Sequence, residues 1–198
     1  LHFKTISSRD PRTYWKSSEF RTYVAIILIA ITACSLLLWE TSSGEGLIRK
    51  SVFQVISILT STGFSTADYV LWDSPIVLIL FILMVIGGCT GSTAGGMKVA
   101  RFLLSWKFVK ATLYKTVHPK AIFAIKHEGR SMGENVISSL IAVSMCYLAT
   151  AFVSTTILIA MGIDPITSVG AAVSTLSNVG PALGDLGPLG TYAFLPDI

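Results

Sequence analysis

Two short stretches carry residue types that could do chemistry: Thr60-Ser61-Thr62-Gly63-Phe64 and Ser177-Asn178-Val179-Gly180-Pro181. Each follows an apolar segment too short to cross a bilayer, and each sets a glycine among small residues. Non-helical backbone at membrane depth must be buried in protein or line a wet cavity. Its freed carbonyls need a partner, and a dehydrated cation is a good one. Glycine admits the left-handed backbone that turns carbonyls toward one axis. A helix ending at such a loop also aims the negative end of its dipole there. A potassium filter replaces the ion's hydration shell in this way. A glycine turn that merely packs helices would use the same residues, and the occurrence of the loop as a pair favours the filter.

A third stretch, Gly87-Gly88-Cys89-Thr90-Gly91-Ser92-Thr93-Ala94-Gly95-Gly96-Met97-Lys98, interrupts an otherwise apolar run. It resembles a phosphate loop only superficially, because Met97 stands where the lysine is required, Val99 follows Lys98, and no strand precedes it. Small residues at a helix contact are a blander use of it. His2, His118 and His127 lie in or beside basic stretches without cysteine or carboxylate at ligand spacing, so a metal cluster is not expected. Gly184-Asp185 lacks the second glycine and the partner aspartate of an intramembrane protease. No catalytic pair stands out, so the chain does not read as an enzyme.

The elements that must position these stretches are apolar helices. Of 198 residues, 52% are apolar and 13% charged, against about 25% charged in an ordinary soluble domain. Mean hydropathy is +0.69. Thr22 to Trp39 is an uncharged run of about 27 Å as a helix, close to the thickness of a hydrocarbon core. Pro75 to Trp106 would run about 48 Å unbroken, and the glycines from Gly87 to Gly96 predict that it unwinds partway. Val136 to Met161 is a further long uncharged segment. Ser51 to Leu59 (about 21 Å even if begun at Gly46) lies between the first two, and Pro165 to Ser177 (about 20 Å) follows the last; each is predicted to be a re-entrant helix. Asp164-Pro165 reads as a helix cap followed by a first-position proline. Thr22 to Trp39, Pro75 to Met97 and Val136 to Met161 hold no charge, whereas a proton-coupled carrier would usually keep one there.

A shift of 117 residues superposes the two short helices: Ser51 on Ser168, Val52 on Val169, Ser57 on Ser174, Leu59 on Leu176, Gly63 on Gly180 and Asp68 on Asp185. The unit is helix, re-entrant helix, glycine-bearing loop, helix, and the second copy stops before its last helix. Internal repeats of this length in a membrane protein point to assembly about a shared axis. Residues 98–130 hold eight Lys and Arg against Glu128, and five more precede the first helix. By the positive-inside tendency these segments are cytoplasmic and 40–73 and 162–198 external. Trp15, Trp39, Trp72 and Trp106 each lie beside a predicted span end. A net charge of +4, collected on one face, gives no reason to expect a nucleic-acid partner; anionic membrane lipid is the nearer one.

Taken together, Thr60–Phe64, Gly87–Lys98, His118-Pro119 and Ser177–Pro181 closely resemble the Trk/Ktr/HKT superfamily, and within it the membrane subunits of bacterial Trk potassium-uptake systems. The resemblance covers essentially the whole chain and corresponds to a third repeat and most of a fourth. It implies an all-α integral membrane fold of repeated helix–pore loop–helix units, as in potassium-channel-like transporters. The expected parts are a basic segment 1–21, a first repeat 22–106 with a broken helix, a basic linker 107–135, and a truncated repeat 136–198. By resemblance, Ser61, Thr62 and Gly63 line one quarter of a filter and Asn178, Val179 and Gly180 another, with K+ at Ser61, Thr62, Asn178 and Val179. Glycine at both filter positions implies potassium preference. Gly87 through Met97 becomes a gating loop under the filter. The resemblance further implies potassium uptake across the bacterial inner membrane by a multi-pass homodimer with a cytoplasmic nucleotide-binding regulatory partner. K+ is the transported ion, with no organic cofactor. Two loops supply half a cage, so residues 1–198 alone are not expected to conduct. The alternative is a Na+- or H+-coupled secondary transporter built from repeats and a broken helix.

Overall fold

The computed structural model describes residues 12–41, 46–118, 126–127 and 130–194. Residues 1–11 of the expected basic segment 1–21, Pro119, and the chain end from Leu195 lie outside them. The described chain is helical apart from a two-residue antiparallel ladder, β1 (Lys126–His127) with β2 (Arg130–Ser131).

A short helix α1 (Arg12–Lys16) leads into α2 (Ser18–Thr41). Helix α2 begins four residues ahead of the uncharged run and includes Glu19 and Arg21. Charges there do not stop the helix, because an acidic residue in the first turn complements the helix dipole. The short helix α3 (Leu47–Leu59) follows. Then comes a 3-10 turn at Tyr69–Leu71, capped by Asp68, whose carboxylate accepts from the Val70 amide.

Helix α4 (Ser74–Ile86) starts with Pro75 in its first turn and ends at Gly87. Residues 87–98 are non-helical, and α5 (Val99–Val117) resumes beyond them. The apolar run is thus broken where the glycines predict, and α4 at 13 residues is too short to cross a bilayer alone. Helix α5 continues eleven residues past Trp106, into the segment expected as linker. Nothing in its sequence breaks a helix before His118, whose successor Pro119 disfavours helical backbone at that residue.

Helix α6 (Glu134–Ala160) is the longest among the described residues, and α7 (Pro165–Leu176) is the second short helix. The Asp164 carboxylate caps α7, accepting from the amides of Ile166 and Thr167 at 3.0 and 3.2 Å. Two helices, Ser18–Trp39 and Asn135–Ala160, are long and apolar enough to span a membrane. The core lies where α2, α3 and α4 meet, around Cys34, Leu38, Val55, Leu59, Ile76, Leu80 and Met84, and it reaches Val173, Val179 and Leu183 of the second repeat. Helix α7 packs through a face of small residues, Gly170, Ala171, Ala172 and Ser174, all buried. Such residues let backbones approach closely where lipid supplies no hydrophobic drive. At Gly170 a β-carbon would stand 2.6 Å from the Leu183 amide nitrogen, so only glycine fits there.

Candidate pore loops

Both short helices end in the same way. After α3, Ser61 takes the left-handed conformation at φ 54°, and the amides of Ser61 and Thr62 return to the carbonyls of Ile58 and Ser57 at 3.0 and 2.9 Å. After α7, Asn178 does so at φ 52°, and the amides of Asn178 and Val179 return to Thr175 and Ser174 at 3.2 and 3.0 Å. These are Schellman closures, and every partner is 117 residues from its counterpart. Glycine is the usual residue at the left-handed position; here serine and asparagine hold it, and the glycines come two residues later, Gly63 at φ 76° and Gly180 at φ 101°. Each loop therefore makes two left-handed steps separated by one residue. A side chain from the preceding helix then fixes the exit. The Ser57 hydroxyl donates to the Phe64 carbonyl at 2.6 Å. The Ser174 hydroxyl faces the carbonyls of Gly180 and Pro181 at 3.0 and 2.8 Å. Ser57 and Ser174 were visible in the sequence as a repeat identity, without an assigned role.

The loops meet. A β-carbon on Gly63 would lie 2.0 Å from the Val179 carbonyl oxygen and 3.3 Å from Pro181 Cδ. Of the six candidate filter residues, Val179 is buried, Ser61 and Gly63 are half-buried, and Thr62, Asn178 and Gly180 are exposed. Thr62 and Phe64 border an open, mainly apolar groove of about 740 Å³ along α3.

The loops are braced differently from outside. The first is held by its own helix: Gln54, fully buried, donates through Nε2 to the Ser65 hydroxyl at 2.5 Å and the Ala67 carbonyl at 3.0 Å. The second has Ala171 at that position and is held by tyrosines. Tyr69 of the first repeat, 1% exposed, donates to the Ala182 carbonyl at 2.9 Å. Tyr192 donates to the Gly180 carbonyl at 2.8 Å, and the hydroxyls of Tyr147 and Ser177 are 2.8 Å apart. No spacing rule pointed to these tyrosines; their partners are backbone carbonyls more than ten residues away or a serine thirty residues on.

Residues 87–98 form a closed loop beneath both. Its neck is tied by Met97 N to Val85 O at 2.9 Å and Val99 N to Gly88 O at 3.1 Å. Gly87 and Gly96 cross there, with a Gly87 β-carbon destined to meet the Gly95 carbonyl at 2.2 Å. Beside the neck, the Gly95 amide donates to the Ser61 hydroxyl at 3.1 Å, and a β-carbon on Gly95 would lie 1.9 Å from the Ser177 carbonyl oxygen. One glycine thus touches the start of both candidate filter loops. The Ser92 hydroxyl satisfies freed backbone by donating to the Cys89 carbonyl at 2.7 Å. Most of the work falls to residues the sequence reading left out of the loop: the Lys98 ammonium donates to the carbonyls of Ser92 and Ala94, and the Glu19 carboxylate accepts from the Thr90 amide. Lys98 also sits at φ 72°, ψ 135°, a costly conformation for a residue with a side chain.

Comparison with known proteins follows this geometry. The model of the TrkH family of cation transport proteins matches residues 1–189. The chain belongs to the TrkH family. It is 35% identical over 187 residues to the Trk system potassium uptake protein TrkH of Escherichia coli K12, covering 93% of this chain and 39% of that protein. It is 30% identical over 176 residues to the Trk system potassium uptake protein TrkI of Halomonas elongata, covering 87% and 36%. The crystal structure of the potassium transporter TrkH from Vibrio parahaemolyticus superposes with a TM-score of 0.86 at 34% identity, covering 93% of this chain and 41% of that one. The chain therefore spans about two fifths of these relatives, and its fold is the potassium-channel-like membrane fold of TrkH transporters.

Proposed function

We propose that this chain supplies two of the filter loops, and the loop beneath them, of a membrane protein that takes up potassium. The relatives are named as potassium uptake proteins, and the observation that carries the reading is the meeting of two identically closed loops, Gly63 against the Val179 carbonyl, floored by Gly95. Helices α3 and α7 aim their negative dipole ends at these loops, which favours a cation there. The backbone oxygens of Ser61, Thr62, Asn178 and Val179 are the proposed K+ ligands. The Gly180 carbonyl is engaged by Tyr192 and Ser174, so Gly180 contributes conformation and not a ligand oxygen. Gly87 through Met97 acts as the gate, and the helix it leads into, α5, carries the basic residues through which a cytoplasmic partner would act.

The complete protein works in the bacterial inner membrane as a multi-pass homodimer beside a nucleotide-binding regulatory subunit, with parts following the 22–106 and 136–198 repeats. Family resemblance supports these last points. K+ is the cargo, and no organic cofactor or catalytic step is assigned to this chain.

The test is ion flux by the complete protein in liposomes. K+ should pass down its own gradient and exceed Na+, with no imposed proton or Na+ gradient. Flux that requires such a gradient would show a coupled secondary transporter instead.

A further inference from the structure

We propose that Glu19 is a positioning residue that latches the Gly87–Met97 loop beneath the filter loops. Glu19 is 4% exposed in the first turn of α2, and its carboxylate accepts a hydrogen bond from the Thr90 amide, 71 residues away. A carboxylate buried this deeply must be compensated, and a charge-assisted bond to a backbone amide is about twice as strong as a neutral one. The helix N-terminus adds a favourable partial charge.

The loop is otherwise self-contained. Lys98 gathers the carbonyls of Ser92 and Ala94, and the neck is closed by Met97 to Val85 and Val99 to Gly88. Gly95, beside the neck, leans on Ser61 and Ser177. Glu19 holds the loop at Thr90. The loop is therefore pinned between the filter loops and the start of α2. Helix α2 follows directly on α1, the short helix that carries Lys16, with Ser17 between them. A displacement of α1 is transmitted through one turn of helix to the loop, which gives the segment ahead of α2 leverage over conduction. The inference rests on the reading of residues 87–97 as a gate.

Three variants of the complete protein test it, by K+ and Na+ flux in liposomes: Glu19→Ala, Glu19→Gln, and deletion of Thr90 to Ala94. Glu19→Ala should raise basal K+ flux about tenfold, the size expected for losing a charged hydrogen bond, with the K+/Na+ ratio kept. Glu19→Gln retains an oxygen acceptor and should rise less. Combining Glu19→Ala with the deletion should add nothing to the deletion. A second readout does not depend on conduction: with the other cysteines replaced by serine, Cys89, beside Thr90, should react faster with a thiol reagent in Glu19→Ala than in Glu19→Gln, which removes the same charge but keeps an oxygen acceptor. If the deletion raises flux while Glu19→Ala leaves flux unchanged and Cys89 no more reactive than in Glu19→Gln, the gate stands and the latch is wrong. If the deletion itself leaves flux unchanged, the gate reading fails and the latch with it.

Discussion

Replacing Gly63 by alanine puts a methyl group where the Val179 carbonyl oxygen already lies. The β-carbon would be 2.0 Å from that oxygen, 3.2 Å from its carbon and 3.3 Å from Pro181 Cδ. Carbon and oxygen rest no closer than about 3.3 Å, so one loop must retreat by about 1.3 Å. The residue also keeps φ at 76°, which costs a side-chain-bearing residue about 1–2 kcal/mol. Functional constellations tolerate displacements of about 0.5 Å, so a shift of this size removes the fit to one ion radius. Uptake of K+ and Na+ by the complete protein in liposomes should then show the K+/Na+ ratio reduced by tenfold or more, about 1.4 kcal/mol of lost discrimination. Gly91→Ala is the control, since Gly91 has a similar φ of 84° and no atom within 4 Å of its β-carbon position; it should leave the ratio unchanged. A Gly63→Ala protein with wild-type selectivity, or a Gly91→Ala protein that loses as much, would refute the reasoning.

Other substitutions probe the braces and the floor. Tyr69→Phe deletes only the hydroxyl that supports the Ala182 carbonyl; it should cost about 1 kcal/mol in thermal unfolding and lower the K+/Na+ ratio severalfold. Ser174→Ala removes the hydroxyl that meets the carbonyls of Gly180 and Pro181 and should lower the same ratio, whereas Thr175→Ala, whose hydroxyl bonds back within α7, should not. Gly95→Ala cannot be seated 1.9 Å from the Ser177 carbonyl, so it should push the loop off the filter and raise basal K+ flux. Deleting Thr90 to Ala94 should raise basal flux and reduce its dependence on a cytoplasmic partner while keeping selectivity, measured by K+ flux with and without that partner.

Much of this architecture was legible because local rules dictated it. Uncharged length marked α2 and α6, proline and aspartate marked the starts of α4 and α7, and clustered glycines marked the break at Gly87. The 117-residue repeat located both loops, and the backbone repeats there bond for bond. What the sequence left hidden depends on long-range contact. Tyr69 meets Ala182 only because the two repeats pack together, and Gln54 holds Ala67 only because the loop folds back over α3. Glu19 falls within the basic segment 1–21, where nothing local marks it; burial against Thr90 emerges only when α2 and the loop are packed side by side. The extension of α5 past Trp106 escaped a reading based on hydropathy, because helical backbone continues where apolar character stops.

Anomalous diffraction from the complete protein crystallised in Rb+ tests the central claim most directly. The account predicts ion density on the path between the two loops, within coordination distance of the backbone oxygens of Ser61, Thr62, Asn178 and Val179, and its loss in Gly63→Ala. Ion density only elsewhere, with these oxygens facing none, would contradict it.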